Sequence, residues 1–368
     1  MPSFQQLRHR IATARGTAAR LTHYLPAPVQ LKLAQAMGYR HDYPELEPHI
    51  RLLLAVRYLQ GGGSLLTKDA EKSRRHFRNE MRSIAGKPVM VGQVKDFEID
   101  GPAGKLSVRH YQPKLNTKSE SSRQSSSPNG LPLLVFYHGG GFVVGDLNTH
   151  DEACRLLCQY GQMQVLSVDY RLAPENPAPA AVHDSIAALK WAKAHAAELG
   201  ADPAKVAVGG DSAGGNLSAV VSQQTKGTPD APAAQLLIYP VVDLYNEYES
   251  RKTYTQGLFL SDLDVEQANA SYVGLSELTL KDPLVTPALG DMTNLPPALV
   301  ITAGFDVLRD EGEAYAKRML ALGNQAKLER VPSQGHGFIN ITSVNRTARQ
   351  ATIKMAQDFR QLLDGLAR

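Results

Sequence analysis

The sequence predicts an α/β protein with a mostly parallel central sheet of about eight strands and helices on both faces. Three observations predict it. From Leu131 onward, short apolar runs alternate with helical patterns. Before them, two period-two runs flank a Gly- and Pro-containing turn, the signature of a hairpin. Near the middle, an apolar run passes through Gly210-Asp211-Ser212-Ala213-Gly214 straight into a helical pattern.

Taken in order, residues 1 to 41 contain no Asp or Glu but carry Arg8, Arg10, Arg15, Arg20, Lys32 and Arg40. Leu7, Ile11, Ala14, Ala18 and Leu21 fall at helical spacing, and Pro26 and Pro28 end the pattern. A basic amphipathic helix packed on the domain is the preferred reading, and a membrane-surface or targeting helix is the other. Leu46 to Gln60 reads as a second helix, stopped by Gly61-Gly62-Gly63. Thr67 is the expected N-cap of a third, with Phe77, Met81 and Ile84 on its apolar face. Its run Arg74, Arg75, Arg78 and Arg82 reads as a solvated face.

Val94 to Ile99 and Leu106 to Tyr111 form the hairpin around Asp100-Gly101-Pro102-Ala103-Gly104. Pro113 to Gly130 is polar and Ser-rich, so a flexible surface loop is expected. The parallel strands follow: Leu131 to Tyr137, Val165 to Tyr170, Val206 to Gly209, Gln235 to Tyr239, Ala298 to Ala303 and Lys327 to Val331. Val182 to Leu199 and Ala213 to Gln224 are helical between them. Leu244 to Leu295 exceeds what one crossover needs, so Asp262 to Tyr272 reads as an insertion above the sheet. Val344, Ala348, Ala351, Met355, Phe359 and Leu362 mark a terminal helix.

A strand, a sharp turn and a helix with a serine at the apex is a nucleophile elbow. Gly210 and Gly214 flank a turn too tight for side chains, so Ser212 is pushed out at the carboxyl edge of the sheet. A serine hydroxyl needs a base at neutral pH. In this architecture the order is Ser, acid, His, and His336 is the only one of 11 histidines that follows Ser212. The acid should close a strand between them, which places Asp306 after the run Leu299 to Ala303. Asp310 and Glu311 are nearby rivals that suit the first turn of the next helix. His138-Gly139-Gly140-Gly141 follows a strand and offers bare backbone N–H groups to a developing oxyanion, together with the N–H of Ala213.

These blocks resemble the hormone-sensitive-lipase-like family of α/β-hydrolases. The likeness is carried by HGGGFVVG (His138 to Gly145), DYRLAPE (Asp169 to Glu175), GDSAG (Gly210 to Gly214), LPPALVITAGFDVLRDEG (Leu295 to Gly312) and HGF (His336 to Phe338). GDSAG, rather than GTSAG, is similar to one branch of that family. The resemblance implies Ser212, Asp306 and His336 as the triad and Gly140, Gly141 and Ala213 as oxyanion donors. His138 would shape the glycine loop with Gly139, Asp169 and Glu175 would hold loops behind the site, and Asp211 would order the elbow. Departures are Phe142 where Trp is common, Val307 where Pro is common, and Asn176 and Ala178 in place of His and Phe. They put chain-length preference in question. The resemblance also implies a helical cap, here from an N-terminal region 1–93 and an insertion at about 245–290 of the catalytic domain 94–368.

The expected chemistry is hydrolysis of small-molecule esters through an acyl-enzyme, with no metal and no organic cofactor. The motifs also admit an arylacetamide-type amide deacetylase with the same triad, or a non-catalytic small-molecule receptor on this fold. A formal charge of +4 makes no case for nucleic acid, and no apolar run approaches a membrane span. Peripheral membrane contact through the basic N-terminal helix stays open, as does a homodimer. Cys154 and Cys158 stand one helical turn apart, poor geometry for a disulfide, so a reducing, cytoplasmic location is expected.

Overall fold

Apolar alternation along the strands builds two cores, one on each face of a single sheet. The computed structural model describes residues 19–41, 43–59, 63–115, 130–256 and 258–366. Its strands are β1 (Gln93–Gly101), β2 (Gly104–Gln112), β3 (Leu131–Tyr137), β4 (Gln164–Val168), β5 (Ala201–Asp211), β6 (Gln235–Ile238), β7 (Ala298–Phe305) and β8 (Ala326–Gly335). They run in the order β1-β2-β4-β3-β5-β6-β7-β8. The β1–β2 hairpin is antiparallel and pairs antiparallel to β4, while all other pairs are parallel. This is the mostly parallel eight-stranded sheet expected from the alternation.

Leu133, Val135 and Tyr137 of β3 face one core with α5 (Ala180–Ala194) and α6 (Ala213–Thr225). Leu134 and Phe136 face the other with α4 (Asp151–Gly161) and α10 (Arg346–Asp364). A third cluster seats α9 (Arg309–Ala321) against Leu237 and Val300. A parallel sheet buried on both faces brings the carboxyl ends of β3, β5, β7 and β8 to one rim.

Helices α1 (Ala27–Ala36), α2 (Pro48–Leu59) and α3 (Ala70–Ile84) precede the sheet, and α7 (Glu249–Thr253) and α8 (Asp262–Val273) fill the long gap after β6. Helix α8 sits against the glycine loop, where Tyr272 stacks on Phe142 with ring centroids 3.7 Å apart. Its Asp264 accepts from Leu66 N–H at 3.0 Å and from the Ser64 hydroxyl, which fastens the insertion to the N-terminal segment.

Four local expectations change. Pro28 lies in the first turn of α1, just after Pro26, instead of ending a helix. A proline's missing N–H is not needed there. Asp69, not Thr67, caps α3 by accepting from Lys72 N–H at 2.9 Å, while Thr67 donates to the Asp69 carbonyl. The arginine run of α3 is not simply solvated. Arg74 donates to the carbonyls of Val143 and Ala173 and pairs with Glu175, and Arg78 pairs with Asp146 at 2.7 Å. Strand β5 begins at Ala201, five residues before its apolar run, because it bulges past Pro203 between the pairs Leu131–Ala201 and Leu133–Val206. The basic stretch up to residue 18 and the Ser-rich stretch 116–129 lie outside the described residues.

Candidate active site

Strand β5 ends at Asp211 and α6 begins at Ala213, so Ser212 alone makes the turn. It adopts φ 55° and ψ −115°, a sparsely populated conformation for a residue with a side chain, costing on the order of 1–3 kcal/mol. The flanking glycines make it sterically feasible. A Cβ on either Gly210 or Gly214 would run into the Tyr137 carbonyl of the neighbouring strand.

Three side chains distant in sequence meet at this rim. Asp306 follows β7, and His336 follows β8. The Nε2 of His336 lies 3.0 Å from Ser212 Oγ, and its Nδ1 lies 2.7 Å from Asp306 Oδ2. The other oxygen of Asp306 accepts from Leu308 N–H at 2.9 Å, which fixes the carboxylate plane. Asp306 is 1% exposed while Ser212 and His336 are 8% exposed, so the pair beneath is shielded and the hydroxyl is reachable. The Tyr239 ring packs beside His336 with centroids 4.5 Å apart.

The glycine loop after β3 faces the same pocket as Ser212 and His336. Gly140 has φ +122°, and its carbonyl accepts from Val143 and Val144 N–H. That turn leaves the N–H groups of Gly140 and Gly141 without an acceptor among the described residues, as is that of Ala213 at the first position of α6. Gly140 and Gly141 share the pocket lining with Ser212, and Ala213 follows Ser212 in the chain.

Asp211 joins the elbow to this loop. Its Oδ1 accepts from Gly139 N–H at 2.9 Å and lies 3.3 Å from His150 Nε2, and Tyr239 OH donates to its Oδ2 at 3.4 Å. Burial works against its charge, yet His150, the Gly139 N–H and His138 hold its carboxyl below the ordinary value. His138 is fully buried, which pushes its imidazole down to about 4 and keeps it neutral at pH 7. Its Nδ1 donates to the Gly139 carbonyl at 2.9 Å, so the ring braces the loop. Replacing Asp211 with alanine should loosen Gly139 to Gly141 and lower kcat about 10- to 100-fold with little change in KM. Steady-state kinetics on a short ester checks this.

The sequence does not single out His150 or Tyr239 as site residues. Nothing in the sequence marks His150, which merely precedes α4. Tyr239 falls at the end of an apolar strand and reads as core. The rivals of Asp306 do other work. Asp310 accepts from Ser250 N–H at 2.9 Å. Glu311 is buried and accepts on Oε1 from Val242 N–H at 2.8 Å and Asp243 N–H at 3.1 Å. Burial raises its carboxyl to about 8. A raised carboxyl holds its proton in the folded state while the unfolded chain loses it, so stability falls as pH rises from about 4.5 to about 8. Glu311→Gln keeps the acceptor and removes the penalty. Urea unfolding should show it near wild type at pH 5 and more stable at pH 8, by on the order of 1–4 kcal/mol.

Away from this rim, His23, Glu47 and His49 bring potential metal ligands within 4.8 Å of one another. The amide of Asn345 already stands among them. Its Nδ2 donates to Glu47 Oε2 at 3.2 Å and faces His49 Nδ1 at 3.1 Å, while its Oδ1 is held by Ala348 N–H. These hydrogen bonds tie Glu47, His49 and Asn345 together, while His23 Nδ1 has no hydrogen-bond partner among the described residues. Among the described residues no helix is long and apolar enough to cross a membrane.

A family model described as the alpha/beta hydrolase fold matches residues 134–340. The chain is 40% identical over 346 residues to the carboxylic ester hydrolase LipN of Mycobacterium tuberculosis, covering 92% of this chain and 88% of that protein. It is 36% identical to an arylesterase of Saccharolobus solfataricus, covering 84% and 96%. An esterase structure from Pyrobaculum calidifontis superposes with a TM-score of 0.75 at 34% identity, covering 86% of this chain and 99% of that one.

Proposed function

The chain belongs to the hormone-sensitive-lipase-like family of α/β-hydrolases and is a carboxylic ester hydrolase, and on that premise we propose that Ser212, His336 and Asp306 hydrolyse short- to medium-chain acyl esters. The observation that carries the reading is the continuous path from Asp306 Oδ2 through the imidazole to Ser212 Oγ, at 2.7 Å and 3.0 Å. His336 takes the Ser212 proton as Oγ attacks the ester carbonyl. Gly140, Gly141 and Ala213 N–H groups stabilise the oxyanion, each donor contributing on the order of 3 kcal/mol. His336 then protonates the leaving alcohol, and water activated by the same ring releases the acid.

The pocket over Ser212 has a volume of about 200 Å³ and mostly apolar walls. That is below the roughly 300–1,000 Å³ of sites that enclose drug-sized ligands, and it supports a short or medium chain. Helices α2, α3 and α8 contribute its walls, which supports their reading as a cap. Two buried, unbridged thiols, Cys154 and Cys158, support a cytoplasmic location. A rate series over p-nitrophenyl esters of increasing acyl length, run beside matched anilides, tests the reading. Faster turnover of the esters with an optimum at short or medium length is expected. Preference for the anilides would replace it with a deacetylase.

A further inference from the structure

The walls that α2 and α3 contribute to the pocket are mostly apolar, and the charges in them are one pair; the Ser83 hydroxyl, also in the lining, donates to the Glu80 carbonyl at 2.7 Å. Leu53, Val56, Phe77, Met81 and Ile84 line it, and between them stand Arg57 of α2 and Glu80 of α3. Arg57 Nε donates to Glu80 Oε1 at 2.9 Å. Their side chains are only 10% and 23% exposed, so the pair is set into the wall rather than out in solvent. Asp264 also borders the pocket, but Ser64, Leu66 and Ser261 engage its carboxylate. Arg57 has no partner for its two terminal nitrogens among the described residues.

The order of groups along α3 places this pair. The Phe77 ring lies beside His150, centroids 6.3 Å apart, and His150 touches Asp211, the neighbour of Ser212. Glu80 stands three residues further on, about 4.5 Å along the helix axis. The leaving alcohol must lie where His336 can protonate it. A chain that follows the α3 wall away from Ser212 meets Phe77 first and the ion pair next.

We propose that the Arg57–Glu80 pair sets the acyl-chain length this esterase accepts. Methylenes laid against Phe77 and Met81 each raise kcat/KM about fourfold, the factor equivalent to ~0.8 kcal/mol. The first methylenes to reach the pair must displace water from a guanidinium and a carboxylate and offer them no hydrogen bond. The gain stops there and reverses. The pair also ties α2 to α3, which holds the two walls at fixed spacing.

The inference deepens the esterase reading and rests on it; that reading is tested separately by loss of acetate-ester turnover in Ser212→Ala. The test of the inference is the kcat/KM profile over p-nitrophenyl esters of acetate to palmitate, each variant normalised to its own acetate ester. Arg57→Met with Glu80→Met, apolar and similar in length, should move the optimum to longer chains and raise the long-to-short ratio more than about tenfold, two methylenes' worth. Arg57→Gln with Glu80→Gln is a milder second variant that should shift it the same way by less. The exchange Arg57→Glu with Glu80→Arg keeps an ion pair and should keep the wild-type limit. An unchanged profile in the folded Met or Gln pair, or an exchanged pair that behaves like the Met pair, overturns the proposal.

Discussion

Replacing Ser212 with alanine is expected to lower kcat by on the order of a millionfold while leaving the fold intact. The size follows from what the hydroxyl does. In the proposed mechanism no acyl-enzyme forms without it, and the proposed oxyanion donors and the pocket can assist only direct attack by water. The effect on stability is small by comparison. One hydrogen bond to His336 is lost, worth about 0.5–1.5 kcal/mol. His336→Ala should cost a similar factor, and the double variant little more, because the groups act as a unit. Steady-state rates on a short ester with thermal unfolding alongside check both halves of this prediction.

Asp306→Asn is expected to lower kcat about ten-thousandfold with nearly unchanged geometry. The local hydrogen bonds give the reason. Leu308 N–H requires an acceptor at Oδ1, so an asparagine must keep its oxygen there. Its Nδ2 then takes the place of Oδ2 and donates to His336 Nδ1. The imidazole proton is forced onto Nε2, where it points at Ser212 Oγ and the ring can no longer accept. The loss should therefore appear in kcat rather than KM. A variant that kept wild-type kcat would remove Asp306 from the mechanism.

Much of this was legible in the sequence because the chemistry demands special backbone. Gly210, Ser212 and Gly214 are readable since only glycine fits against the Tyr137 carbonyl. The order of Ser212, Asp306 and His336 follows from a parallel sheet, whose strand ends share one rim. His336 needed no choice among candidates, being the only histidine beyond Ser212.

What was not legible depends on tertiary packing. The buried carboxylate of Asp211 finds His150, Tyr239 and Gly139 only once α4, β6 and the glycine loop converge. Arg74 and Arg78 read as solvated because charge on an amphipathic helix normally is, whereas here carbonyls of the loop behind the site accept from Arg74. Asp69 outcompetes Thr67 as the cap of α3 because either residue type can fill the role, and the chain's approach decides between them. Likewise Arg57 and Glu80 carry no sequence signal, since they come from separate helices and meet only in the wall of the pocket.

The central claim is that burial, Asp306 and His336 together make one serine hydroxyl a nucleophile. Treating the protein with a fluorophosphonate and locating the adduct by peptide mass spectrometry tests it most directly. The account predicts a single adduct on Ser212, abolished in His336→Ala. An enzyme that still turns over esters while Ser212 stays unmodified would contradict it.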